Sequence, residues 1–144
     1  MREADIPEAS RSREASGPHR ARGAKILDVE DDDDLRAAAV TLLRDEGFSV
    51  VEAPNGSAAL DYLLGTGTKP ALILLDLRMP IMSGRQVLHV LQGFLRFATV
   101  PVVVMTSESL PLECPEGAVA RLQKPFTARA LLALVRRHAR AAAR

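Results

Sequence analysis

Residues 71–76 read ALILLD: five apolar side chains in succession, then one acid. A half-buried strand alternates apolar and polar residues, and an amphipathic helix repeats its apolar positions every three to four. This run does neither, and it is too short for a buried helix. It reads as a strand covered on both faces, the condition of a parallel sheet with helices above and below it. VPVVVMT (100–106) has the same character, with Pro101 near its start, where a missing N–H is tolerated.

Outward from these two strands, the pattern alternates. KILDV (25–29) is short and apolar-rich. Over 32–46, Leu35, Ala38, Ala39, Leu42 and Leu43 recur at helical spacing until Gly47 stops the pattern. FSVVEA (48–53) is a β-branched run closed by the turn residues Pro54-Asn55-Gly56. A helix over 57–64 ends at Gly65; Arg78-Met79-Pro80 and Ser83-Gly84 make a loop, and 85–92 returns to helix. AVARLQ (118–123) is a weaker strand, and Thr127 is placed to N-cap a last helix through Leu131, Leu132, Leu134 and Val135. Five strand–helix units predict an α/β fold, a doubly wound five-stranded parallel sheet. Ligands of such sheets bind beyond the carboxyl ends of the strands. The residues there are Glu30 and Asp31, Asp76, Thr106 and Lys124.

Composition narrows the function. The chain has 144 residues, 47% hydrophobic and 26% charged, enough for one domain with a proper core. A net charge of +1 argues against bulk electrostatic binding to nucleic acid. The lone Cys114 makes no internal disulfide, and no Cys/His cluster points to zinc. The N-terminus is charged from Arg2 onward and lacks the apolar stretch of a signal peptide, and the longest apolar runs are too short to span a bilayer, so a soluble, cytosolic protein is expected. Residues 1–24 mix Arg, Glu, Ser, Pro and Gly with little to bury and predict a disordered tail. The domain is expected over 25–140 and a short C-terminal tail over 141–144. Arg129, Arg136, Arg137, Arg140 and Arg144 suit the C-terminal part of a helix better than a nucleic-acid surface, which would want aromatics for stacking.

The strand-end residues form a chemical set. Carboxylates that converge repel unless a cation or a proton intervenes. Hard oxygen donors without His or Cys point to magnesium. A lysine and a hydroxyl beside the metal are what an incoming phosphoryl group needs for charge neutralisation and hydrogen bonding. Asp76 is then a candidate nucleophile.

ILDVEDDDDLR, LLDLRMPIMSG, VVVMTS and LQKPF, in this order and each at a strand end, resemble the response-regulator receiver domain of two-component signalling. The resemblance covers 25 to about 138. It implies the strand order 2-1-3-4-5 and a magnesium-dependent phosphoacceptor, not a conventional enzyme. Asp76 matches the phosphorylated aspartate. Glu30 and Asp31 match the acidic pair that binds magnesium with Asp76, and the backbone carbonyl of Arg78 matches a further ligand. Thr106 matches the hydroxyl and Lys124 the lysine that contact the phosphoryl group. Pro125 matches a cis proline that aims the lysine. The implied partners are a histidine kinase or histidine phosphotransfer protein and a downstream protein, with output in trans and no membrane or direct nucleic-acid contact.

Four departures stand out. Glu30 replaces the commoner Asp. Asp28 lies at a normally apolar strand position and shares a face with Glu30 by alternation; it is expected to be neutral or paired with a cation, the alternative being a role in tuning the pocket. SESLPLECPEGAVA (107–120) contains Pro111 and Pro115, so a fourth helix there is expected to be short, irregular or absent. Arg121 stands where the family places a switch aromatic. A phosphorylation-independent binding module is the competing function. A phosphatase with an aspartyl nucleophile ranks lower, because Leu77 and Arg78 occupy the positions of its general acid.

The acidic run divides accordingly. A calcium loop fails, since Asp33 stands where the mid-loop glycine is needed and Ala39 at the terminal bidentate Glu. Asp32 and Asp33 begin the following helix, where its dipole favours negative charge, and Asp34 is solvated.

Overall fold

The computed structural model describes residues 23–65, 69–107 and 114–143. Five strands, β1 (Lys25–Val29), β2 (Ser49–Ala53), β3 (Leu72–Asp76), β4 (Val102–Thr106) and β5 (Ala120–Gln123), form one sheet in the order β2-β1-β3-β4-β5. Every pairing is parallel. The helices are α1 (Asp33–Asp45), α2 (Gly56–Gly65), α3 (Gly84–Gln92) and α4 (Ala128–Ala143), with a 3-10 turn at Leu95–Phe97. This is the doubly wound sheet that the two apolar runs imply.

Period-two alternation splits the core in two. Ile26, Leu72, Leu74, Val103 and Met105 face α1 and α4, which contribute Ala39, Val40, Leu43, Leu131, Leu132 and Val135. Leu27, Val29, Ile73, Leu75 and Val104 face α2 and α3, which contribute Ala59, Leu63, Val87, Leu88 and Leu91. All five residues of β3 and of β4 are buried, as strands covered on both faces must be.

Local signals set most boundaries. Asp32 is the N-cap of α1, accepting hydrogen bonds from the amides of Asp34 and Leu35 at 3.0 Å each. Asp33 and Asp34 occupy its first turn. Gly47, at φ 98°, takes the left-handed conformation that reverses the chain after α1. Asn55, expected in a turn, also caps α2, its Oδ1 accepting from the Ala58 amide at 2.7 Å. Ser83 and Gln86 form a reciprocal capping box on α3. Thr127 Oγ1 accepts from the Ala130 amide at 3.0 Å.

Several expectations need correction. Leu35 is 41% exposed and Val40 is buried instead, because the face of α1 that packs on the sheet is that of Ala39, Val40 and Leu43. Gly23 and Ala24 are not tail: the Gly23 amide donates to Gly47 O and the Ser49 amide to Ala24 O. The last helix runs through Ala143, into the stretch expected as a C-terminal tail; its Arg136 pairs with Glu46 next to the end of α1. Residues 1–22 and 108–113 lie outside the described residues, and with them most of the expected tail and half of the proline-rich segment. The described part of that segment, Ser107 and 114–118, holds no helix and turns at Glu116-Gly117. Arg121 lies on the edge strand β5, opposite Val104 and half-buried. Among the described residues, no helix is long and apolar enough to cross a membrane.

Candidate functional site

The site follows from sheet order. β1 and β3 are neighbours, with Val29 opposite Leu75, so the residues that end them leave the sheet side by side. These are Glu30 and Asp76, each 3% exposed. Lys124, from the end of β5, reaches back across β4: its Nζ lies 2.8 Å from Glu30 Oε1 and 3.2 Å from Asp76 Oδ2. The other carboxylate oxygens are held by backbone. Glu30 Oε2 accepts from the Asp32 amide at 3.2 Å, and Asp76 Oδ1 from the Arg78 amide at 3.1 Å. Glu30, Asp31 and Asp76 each present an oxygen, all within 4.8 Å of one another. Four of the expected residues, Glu30, Asp31, Asp76 and Lys124, thus meet within one cluster.

Its electrostatics are those of crowded acids. Burial raises the Asp76 carboxyl above the usual range, and its contact with Glu30 raises it further. Asp31 is raised too, first by desolvation and then by its approach to Asp76. Burial works against the charge on Lys124, but its contacts with Glu30 and Asp76 outweigh it and the net shift is upward. Lys124 is an ammonium. One ammonium against three carboxylates leaves negative charge to neutralise, and the donors are all hard oxygens. That donor set fits magnesium.

Thr106 is fully buried at the end of β4, and its carbonyl accepts the Lys124 amide at 2.7 Å, tying the two strand ends together. The Lys124–Pro125 peptide is cis. Arg78 lies next to the cluster through its amide.

Two residues escaped the sequence reading. Gly84 begins α3 and donates its amide to Leu77 O at 3.0 Å. A Cβ there would collide with the Asp76 carbonyl oxygen and lie 2.8 Å from Leu77 Cα. The Ser-Gly pair signals a loop in sequence, but the close approach that demands glycine is tertiary. The second is Arg36, whose spacing within α1 carries no hint of its contacts.

The loop between β3 and α3 is strained at Ile81. Ile81 has φ 73° and is 95% exposed, and the Met82 amide donates to Pro80 O at 2.7 Å, closing a γ-turn. A β-branched side chain is poorly suited to that conformation. Ile81→Gly is expected to raise stability by about 1 kcal/mol in a urea melt.

Asp28 resolves against pairing. It is fully buried on β1, between Glu52 of β2 and Leu74 of β3, and neither carboxylate oxygen has a hydrogen-bond partner among the described residues. Burial first, then the nearby Glu30, pushes its carboxyl up to about 7. Of the two expectations, neutralisation by a proton, held up to about pH 7, is the one that fits.

The profile of the response regulator receiver domain matches residues 26–136. The chain belongs to this family. Among its relatives, the receiver is 39% identical over 120 residues to the response regulator protein FleR of Pseudomonas aeruginosa, covering 81% of this chain and 24% of FleR. It is 28% identical to Protein PilG of the same organism, covering 81% of this chain and 87% of PilG. Against the solved structure of the chemotaxis protein CheY4 of Vibrio cholerae the TM-score is 0.71 at 28% identity, covering 80% of this chain and 98% of that one. The chain thus spans about a quarter of FleR and nearly all of PilG and CheY4.

Proposed function

We propose that this receiver accepts a phosphoryl group on Asp76 from a phosphohistidine of a histidine kinase or histidine phosphotransfer protein, with magnesium bound by Glu30, Asp31, Asp76 and the Arg78 carbonyl. The observation that carries the reading is Lys124 bridging Glu30 and Asp76 across two strand ends. In the transfer a carboxylate oxygen of Asp76 attacks phosphorus, the P–O bond forms as the P–N bond breaks, and the imidazole leaves and regains a proton. Bound magnesium supplies charge neutralisation for the phosphoryl oxygens. Lys124, from the end of β5, would supply a second positive charge, and the Thr106 hydroxyl a hydrogen bond. The Arg78 amide holds Asp76 Oδ1 and so orients the nucleophile. The domain acts as a phosphoacceptor, not a turnover enzyme, and signals in the cytoplasm to a separate protein through the surface that changes on phosphorylation.

Incubation with acetyl phosphate and magnesium tests this by intact mass. One phosphoryl group is expected on the wild type and none on Asp76→Asn. Absence of incorporation across phosphodonors and metal concentrations would instead identify a phosphorylation-independent binding module.

A further inference from the structure

Arg36 closes the first turn of α1, and its guanidinium reaches three elements. Nη1 donates to the main-chain oxygen of Glu30 at 2.7 Å. Nε donates to Glu52 Oε1, next to the end of β2, at 3.2 Å. Nη2 donates to Asp33 Oδ1 at 2.8 Å. The side chain is only 15% exposed and its bond to the Glu30 oxygen is partly buried, whereas the Asp33 and Glu52 side chains remain 85% and 40% exposed. The two carboxylates hold the planar fork in place, and the fork holds the carbonyl.

That carbonyl matters because of what shares its plane. The C=O of Glu30 and the N–H of Asp31 belong to one rigid peptide unit. Fixing the oxygen fixes the direction in which the chain leaves Glu30 and enters Asp31, whose carboxylates must converge on Asp76. Asp31 is exposed, so packing does little to place it. We infer that Arg36 is a positioning residue for the cation site, setting the Glu30–Asp31 peptide so that both carboxylates meet Asp76. The inference rests on the magnesium reading above.

Charge and geometry act here with opposite signs, which makes the role testable. A guanidinium near a cation site repels the cation, so removing its charge alone would tighten binding. Removing the positioning would weaken it. Arg36→Met removes both charge and fork, Arg36→Lys keeps the charge and loses the fork, and Glu52→Gln weakens one anchor of the fork.

Magnesium is titrated calorimetrically into the full chain and each variant, with a thermal melt to establish that each is folded. Arg36→Met and Arg36→Lys are both expected to weaken magnesium binding about tenfold, in the range seen when groups that orient metal ligands are lost. Glu52→Gln is expected to weaken it roughly twofold, as a partial loosening of the same fork. A folded Arg36→Met that binds as tightly as the wild type, or more tightly, overturns the inference. If Arg36→Met does not fold, unchanged affinity in Arg36→Lys overturns it equally. A wild type that takes up no magnesium overturns the metal reading and this inference together; a wild type that binds, with an Arg36→Lys that binds equally, overturns the inference alone.

Discussion

Asp28→Val is expected to make the domain more stable by about 4 kcal/mol at pH 8, with a much smaller gain at pH 4. The ordinary aspartate value is 3.8, and burial followed by repulsion from Glu30 carries the folded value to about 7. Between those two values the folded protein keeps a proton that the unfolded chain has lost. Stability therefore falls as pH rises through this window, and is flat below and above it. At about 1.4 kcal/mol per pH unit of separation, the fall amounts to about 4 kcal/mol by pH 8. Valine has no charge to bury and suits a strand. The gain left at pH 4 is that of replacing a neutral carboxyl whose oxygens have no partner among the described residues. Urea melts of both proteins from pH 4 to 8 check this. Parallel pH profiles would show that Asp28 is not the group that titrates.

Gly84→Ala is expected to be the most damaging single-methyl change near the site. The added carbon would meet the Asp76 carbonyl oxygen and the Leu77 Cα, both main-chain atoms with no rotamer to change. Either α3 loses its amide contact to Leu77 O or the end of β3 is displaced. Overpacking of this kind costs about 3 kcal/mol. For a domain of this size that lowers the melting temperature by roughly 10 °C. Because the displaced backbone carries the nucleophile, labelling by acetyl phosphate is expected to slow by about 10- to 100-fold even well below the melting temperature. Intact-mass time courses and a thermal melt measure the two effects separately. A normal labelling rate in a destabilised variant would show that the strain is absorbed by α3 rather than by Asp76.

Much of this domain is legible without coordinates because the deciding signals are local. ALILLD and VPVVVMT have no polar face, so any fold that buries them must cover both sides. Asp32 and Thr127 cap helices through bonds to amides two or three residues on, within reach of the sequence pattern. The strand-end residues are readable because parallel strands all terminate at one edge. Asp28 is readable as an anomaly because it takes a normally apolar strand position, though its state is not: whether a buried acid is paired or protonated depends on what other elements bring near it.

What the amino-acid sequence determined alone is the order of elements, the covered sheet and the set of groups at its carboxyl edge. Tertiary structure alone decided how those groups meet. Lys124 and Glu30 are far apart in sequence, and they touch because β1 and β3 lie side by side and the lysine is long enough to cross β4. Arg36 and Gly84 looked ordinary for the same reason: one acts through the end of β1 and the other through the backbone of β3. Periodicity and capping are set by the nearest few residues, whereas a close approach or an ion pair is set by which strands the fold makes neighbours.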